Sequence, residues 1–313
     1  MKKLVCIGES LIDFMDVDGD ELTFKANAGG APANVCACVS KLGGRSCYLG
    51  KLSKDIFSRF LLHNMQRYGI DTSFVAIDGR YPTALAFVSH DDRGDREFNF
   101  YRTNTCDLML DEDDVREDML DKGDILHFCS VCLVESKTKQ AHIKAIKIAK
   151  DKGALVSFDV NIRENLWDSL DSCIKTVKEF LNCADILKVS QEELVAITKE
   201  QDYQKSVRMM FDMSQNCKIL LVTKGENGAE CFDRDMQSFS TRAKASNVVD
   251  TTGAGDCFIG SVLYCLLYKN CTLDIQSMTQ ATTFASFACA QVVGRKGAMQ
   301  AMPTYDQVGY DWE

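Results

Sequence analysis

The chain has 313 residues, 46% of them hydrophobic and only 3 of them proline, enough for one large α/β domain or two ordinary ones. Its net charge of −9 argues against a nucleic-acid or anionic-membrane surface, so a phosphate ligand must be held locally by amides, a metal and a few cationic side chains. The first apolar run stops at Gly8-Glu9, too short for a signal peptide, and no run approaches the ~20 apolar residues of a membrane helix. A cytoplasmic protein is expected.

The 15 cysteines are an odd count and sit mostly in apolar runs, as Cys6, Cys36, Cys38, Cys265 and Cys289 do. Cys129-Ser-Val-Cys132 has the CxxC form but lies in the strand-like run 125–133, where the two side chains should not meet as on a helix turn. Reduced cysteines acting as small apolar residues are the better reading.

In chain order, Lys3 to Ile7 reads as a buried strand, with Asp13 just beyond its carboxyl end, where α/β folds place ligands. Taken alone, Asp13 has a turn aspartate as its alternative reading. Residues 14–28 read as extended pieces around Gly19. Gly29-Gly-Ala-Pro-Ala-Asn34 opens a helix whose Val35, Cys38, Val39 and Leu42 share a face, and Gly43-Gly44 ends it. Gly29 and Gly30 let backbone approach a ligand, and Asn34 offers both donor and acceptor to a sugar hydroxyl; a plain helix entry with Pro32 at its first position is the alternative.

Cys47 to Gly50 is a short strand and Leu61 to Tyr68 a helix. Thr83 to His90 and Glu97 to Arg102 flank a polar turn at 91–96 and form an antiparallel hairpin. With residues 14–28 it makes a small projecting sheet, a candidate lid over about 14–30 and 82–104. Strands then alternate with helices: 124–128, 155–159, 184–190 and 218–223, with a helix over 136–152 stopped by Gly153. That alternation predicts an α/β fold, a mostly parallel central sheet flanked by helices on both faces. Polar residues gather after these strands, at Asp159 to Arg163, Lys188 to Glu193 and Thr223 to Gly225, which points to one mouth at one sheet edge. No repeat, low-complexity segment or linker divides the chain, so residues 1–313 are read as a single domain with the lid inserted.

The stretch 246–266 concentrates the chemistry. Val248 and Val249 end an extended segment, Gly253-Ala254-Gly255 turns, and a helix starts at once with Asp256 in its first turn. Free N–H groups and the helix dipole make an anion site there. A carboxylate beside a bound phosphate is useful when it takes a proton from an acceptor hydroxyl, the layout of phosphoryl transfer. On this stretch alone, a tight turn with a helix-complementing aspartate is as good a reading. The familiar nucleotide motifs fail: Gly44 to Leu52 resembles a P-loop, but its spacing is one too long and Leu52 replaces the Ser/Thr.

Taken together, Gly8-Glu-Ser-Leu-Ile-Asp13, Gly29 to Asn34, Phe100-Tyr-Arg102, Asp159 to Arg163 with Leu166-Trp167, Lys188 to Glu193 and Asp250-Thr-Thr-Gly-Ala-Gly-Asp256 carry a resemblance. The chain resembles the ribokinase-like PfkB family of sugar kinases over essentially its whole length, and is most similar to bacterial fructokinases. The resemblance implies an ATP-dependent transfer to fructose, at the 6-hydroxyl, with Asp256 as base. Gly253, Ala254 and Gly255 would give amides to the phosphoryl group, and Arg163 would neutralise charge in the transition state. Asp13, Gly29, Gly30, Asn34 and Arg102 would line the sugar site. Lys188, Ser190, Glu193, Thr223, Lys224, Gly225 and Gly228 would serve ATP, with Glu193 orienting water on Mg2+. The family's Asn-x-x-Glu reads Ser190-x-x-Glu193 here, a departure. Asp250, Thr252, Val292, Arg295 and Gly297 match a monovalent cation site, K+ being the expected ion, although Ala301 replaces a usual Ser. Cys36, Ser53 and Ser58 depart as packing changes. The implied partners are ATP and a small sugar, with no nucleic acid or membrane, and the lid edges would suit a homodimer. A 2-keto-3-deoxygluconate kinase, with Arg102 and Arg163 on the carboxylate, is the near alternative. A nucleoside or ribose kinase fits less well, since ribokinases usually carry Lys where Ala31 stands. A non-catalytic sugar-binding regulator belongs to a different class.

Overall fold

Successive residues of the first strand, β1 (Leu4–Ile7), belong to different cores. Leu4 and Cys6 join one apolar cluster, Val5 and Ile7 another. Side chains leave a strand on alternate faces, so a strand buried on both sides needs helices on both sides. The computed structural model describes residues 2–17, 22–90, 96–244 and 247–312.

After β1 come β2 (Leu11–Val17), β3 (Thr23–Gly29), α1 (Ala31–Lys41), β4 (Ser46–Leu52), α2 (Ile56–Arg67), β5 (Val75–Ile77), β6 (Leu85–His90) and β7 (Arg96–Tyr101). The alternating part holds β8 (Ile125–Cys129), α3 (Lys137–Lys152), β9 (Leu155–Asp159), α4 (Leu170–Leu181), β10 (Ile186–Ser190), α5 (Gln191–Thr198), α6 (Tyr203–Met213) and β11 (Ile219–Thr223). The chain continues with β12 (Ala229–Asp233), β13 (Ser238–Thr241), α7 (Ala254–Tyr268), α8 (Ile275–Val293) and α9 (Tyr305–Val308). The main sheet runs β13-β12-β11-β10-β9-β8-β1-β4-β5, parallel except at β12 and β13. Val35 of α1, Val262 of α7 and Phe284 of α8 pack on the Leu4 side; Ala145 of α3, Val177 of α4, Leu194 of α5 and Val207 of α6 pack on the Val5 side. The expected two-sided α/β architecture is therefore present.

The small sheet runs β3-β2-β6-β7, with β2 parallel to β6 and both outer pairs antiparallel. Its two faces differ. Phe14 stacks on Phe87 at 4.8 Å, Phe24 meets Phe87 edge-on, and Phe14 touches Phe57 of α2 at 5.7 Å. Leu11, Asp13 and Phe100 face the opposite way, into a cavity over the main sheet.

Several local expectations change. Asp13 is not in a turn after β1 but inside β2, so the small sheet carries it. The P-loop look-alike falls on β4, a fully buried strand. β8 stops at Cys129, and residues 130–132 form a 3-10 turn, so Cys129 and Cys132 do converge: both thiols point at the Glu9 carboxylate. The expected extended lead-in to Gly253 fails at Val248 and Val249, which are exposed and outside any strand. Ser246 of that lead-in, Gly19 and residues 91–95 of the hairpin turn lie outside the described residues. Helix α7 has no polar face: Cys257 through Leu267 are all buried, because α1 and α8 enclose it.

Candidate active site

The cavity between the two sheets measures about 430 Å³. Strand ends supply Glu9 after β1, Val131 after β8, Asp159, Asn161 and Arg163 at and after β9, and Lys188 on β10. Two helix starts face them: Gly30, Ala31 and Asn34 at α1, and Gly253, Gly255 and Asp256 at α7. The inference of one mouth from the clustering of polar residues thus holds for these positions.

Helix α7 begins at Gly253, which adopts the left-handed conformation (φ 78°) and carries no side-chain cap. The Ala254 amide turns back to the Thr251 carbonyl at 3.2 Å. Among the described residues, the amides of Gly255 and Asp256 have no such partner, and both residues line the cavity, as an anion site at a helix start requires. A Cβ placed on Gly255 would lie 3.2 Å from Lys188 Nζ, so a cation stands directly against this turn.

Lys188 is held there by Asp159, whose two carboxylate oxygens each lie 2.8 Å from Nζ. Both side chains are buried. Burial works against the ammonium, but Asp159, with Glu193 and Asp256 farther off, outweighs it and raises the Lys188 pKa. The Asp256 carboxylate accepts from Asn34 Nδ2 at 2.8 Å. Burial pushes its pKa up to about 6; the Asn34 hydrogen bond opposes this, Asp159 adds to it, and Lys188 and Arg163 oppose it. Asn34 Oδ1 is buried without a partner among the described residues, an acceptor left open for a ligand hydroxyl.

Asp13 reaches the cavity from the small sheet. Burial, then the charge of Asp256, lifts its pKa to about 7. Gly29 pairs with Leu11 across the β2–β3 ladder, and a Cβ there would sit 2.0 Å from Asp13 Oδ2. Gly29 therefore makes room for Asp13 and does not itself line the cavity. Gly30, at φ 109°, would bring a Cβ within 2.4 Å of the Glu9 carbonyl oxygen. Arg163 is exposed at the rim.

Arg102 is not among the cavity-lining residues. Its guanidinium is buried behind the wall, with Nε 2.6 Å from Asp107, Nη1 donating to the Val131 carbonyl and Nη2 3.0 Å from Cys132 Sγ. Glu193 accepts from the Ile162 and Ser190 amides at 2.6 and 2.7 Å, while Ser190 Oγ caps Glu193 N–H. Ser190 is thus a helix cap, and Glu193 staples the loop after β9 to α5. Each Glu193 oxygen already holds one amide, which suits accepting from a metal-bound water and not direct ligation. Among the described residues no three His, Cys, Asp or Glu side chains are grouped to hold a metal.

Thr223 ends β11 beside Ser190, and Lys224 pairs with Glu230 at 2.6 Å over the Tyr203 ring. Gly225 starts a 3-10 turn, and Gly228 (φ 91°) would drive a Cβ to 2.0 Å from the Thr241 carbonyl. These four stand at the same sheet edge but outside the cavity wall. Asp250 is buried; it accepts from Thr252 N–H at 2.8 Å and Gly297 N–H at 2.9 Å, while Arg295 N–H donates to the Val292 carbonyl. One carboxylate therefore ties the loop before α7 to the loop after α8 and joins Asp250, Thr252 and Gly297 directly, with Val292 and Arg295 bonded to each other in the adjoining stretch.

Sequence reasoning assigned no role to Glu9, Asn161, Phe100 or Val131, all of which line the cavity. Glu9 sat in the Gly8–Asp13 motif. Asn161, at φ 42°, lies in a left-handed conformation that no spacing rule reveals.

The profile of the pfkB family carbohydrate kinases matches residues 1–305. The chain is 36% identical over 311 residues to Fructokinase-1 of Zea mays, covering 97% of this chain and 96% of that protein. Among solved structures it is similar to the fructokinase of Xylella fastidiosa with bound ATP, at 30% identity and a TM-score of 0.89, covering 98% of this chain and 96% of that one. A double mutant of the Vibrio cholerae O395 fructokinase, with fructose, ADP and potassium bound, matches at 28% identity and a TM-score of 0.89 over 98% of this chain and 97% of that one.

Proposed function

The chain belongs to the pfkB family of carbohydrate kinases, and from that premise we propose that it transfers the γ-phosphoryl group of ATP to fructose, at the 6-hydroxyl. One observation carries the reading: the Asp256 carboxylate, Gly255 and Asp256 with their unpartnered amides, and Asp13 line one cavity, with Lys188 against the turn. Asp13, Gly30 and Asn34 orient the sugar. Asp256 takes the proton of the attacking hydroxyl, whose oxygen bonds to phosphorus as the bond to ADP breaks. The Gly255 and Asp256 amides, Lys188 and Arg163 meet the charge that develops on the phosphoryl oxygens. Thr223, Lys224, Gly225 and Gly228 receive the nucleotide at the adjoining edge. Magnesium bound with ATP would supply charge neutralisation, and Glu193 is the residue that would hold it, through water. Asp250 and its neighbours form the potassium site, as the bound ion of the Vibrio cholerae relative suggests. The small sheet, through Leu11 and Phe100, shields the acceptor from competing water. Its outer strands β3 and β7 each have one neighbour among the described residues, and a homodimer would pair them. No described helix is long and apolar enough to cross a membrane, and the free cysteines suit a cytoplasmic setting.

The position of Arg102 favours a neutral sugar over 2-keto-3-deoxygluconate. Its charge is spent on Asp107, so a substrate carboxylate would meet Arg163 and a Lys188 already paired with Asp159, among the acidic Glu9, Asp13 and Asp256. Parallel ADP-release assays with fructose and 2-keto-3-deoxygluconate test this. The expected kcat/KM favours fructose at least ~100-fold, the scale of one unpaired buried charge; the reverse preference would overturn the assignment.

Two further outcomes follow here. Asp256 must be ionised to act, and burial holds its pKa at about 6. kcat/KM should therefore rise as pH increases through roughly 6 to 7, with Asp13 titrating in the same range. A profile flat down to about pH 5 would place the base elsewhere, since an unperturbed aspartate titrates near 3.9. Gly29→Ala should push Asp13 out of place and raise the fructose KM about tenfold or more, leaving the ATP KM within about twofold. Equal rises in both constants would contradict the role given to Gly29.

A further inference from the structure

Glu9 lines the cavity, is 2% exposed and has no part in the transfer described above. Its contacts run in two directions. Forward, Oε1 accepts the Ala31 N–H at 3.0 Å, the first amide of α1. The N-cap residue Gly30 has no side chain to cap with, and Pro32 has no N–H, so Glu9 supplies from a distant segment the cap that the helix lacks. The same first turn carries Asn34, whose N–H closes on the Gly30 carbonyl at 2.9 Å and whose Nδ2 holds Asp256 at 2.8 Å. Behind Glu9, the thiols of Cys129 and Cys132 donate to its carboxylate at 3.6–3.7 Å. Arg102 in turn grips Cys132 Sγ at 3.0 Å while anchored on Asp107.

We propose that Glu9 is a positioning residue: backed by the Cys129 and Cys132 thiols, it fixes the first turn of α1 and, through Asn34, aims the Asp256 carboxylate at the acceptor hydroxyl. The proposal rests on Asp256 being the base. It also gives the CxxC turn and Arg102 a shared purpose, as the rear support of one carboxyl group.

The test is steady-state kinetics of the full chain with MgATP and fructose, on Glu9→Ala, Glu9→Gln, Asn34→Ala and the Glu9→Ala/Asn34→Ala double variant. Glu9→Ala should lower kcat roughly 10- to 100-fold, the cost of a carboxylate misplaced by about 1 Å, with the ATP KM within about twofold. Glu9→Gln keeps an oxygen for the Ala31 amide and should retain kcat within about threefold. The double variant should fall little below Asn34→Ala, because both changes act through one contact. Multiplying losses, a Glu9→Gln as impaired as Glu9→Ala, or an effect confined to the fructose KM would each overturn the proposal. If Glu9→Ala does not fold, Glu9→Asp, one methylene short of Ala31, takes its place. Near-normal turnover of Asp256→Asn would remove the base assignment by itself, whatever the Glu9–Asn34 coupling.

Discussion

Asp256→Asn is expected to lower kcat by roughly 10³- to 10⁴-fold, the upper part of what a general base contributes. The substitution is nearly isosteric, and the amide oxygen can still accept from Asn34 Nδ2, so the start of α7 and the cavity should keep their shape. What disappears is the carboxylate that lines the cavity beside the anion turn and to which the base role is assigned. ATP affinity should be kept. Thermal stability supplies an internal control. The folded pKa of Asp256, about 6, is raised above that of an unfolded aspartate. The native state therefore binds this proton more tightly, and the ionised carboxylate costs stability increasingly as pH rises from about 4 to 6. Asn carries no such cost, so the variant should melt a few degrees above the parent at pH 8 and show no such advantage near pH 4. A variant that lost activity by unfolding would melt lower at both.

Lys188→Met should be nearly as severe in turnover and far worse for stability. It removes the cation against Gly255 and leaves Asp159 buried with no partner at 2.8 Å. Breaking a buried ion pair from one side costs about 3–5 kcal/mol, enough to lower Tm by about 10 °C in a chain of this size. The two losses separate in the Asp159→Asn/Lys188→Met double variant. Removing the stranded charge should recover most of Tm, whereas kcat should stay low because the cation is still absent. Recovery of both together would mean that Lys188 is only structural.

Much of this was legible from residue order because the relevant signals are local. The Gly253-Ala-Gly-Asp256 turn, the start of α1 after Gly30 and the αL stop of α3 at Gly153 are decided within a few residues by φ preference and amide supply. Alternating strands and helices likewise fix a two-sided sheet, down to the separate burial of Leu4 and Val5. Partner choice was not legible. Nothing in Phe100-Tyr-Arg102 says that the guanidinium turns away from the cavity to Asp107, or that Glu193 spends both oxygens on main-chain amides. The CxxC misreading has the same root: a strand ending at Cys129 and one continuing to Leu133 look alike in an apolar run, and only the turn at 130–132 brings both thiols to Glu9. Asp13 lines the cavity, but from β2 and not from a turn after β1, since β2 follows β1 with too few polar residues between them to mark a change of sheet.

The most direct measurement is the position of the acceptor hydroxyl in a crystal of the protein with fructose and a non-hydrolysable ATP analogue. The account predicts that hydroxyl within about 2.6–3.2 Å of an Asp256 carboxylate oxygen, with terminal phosphate oxygens accepting from the Gly255 and Asp256 amides. A sugar bound with its reactive hydroxyl turned from Asp256, or a phosphate that leaves those amides unused, would contradict it.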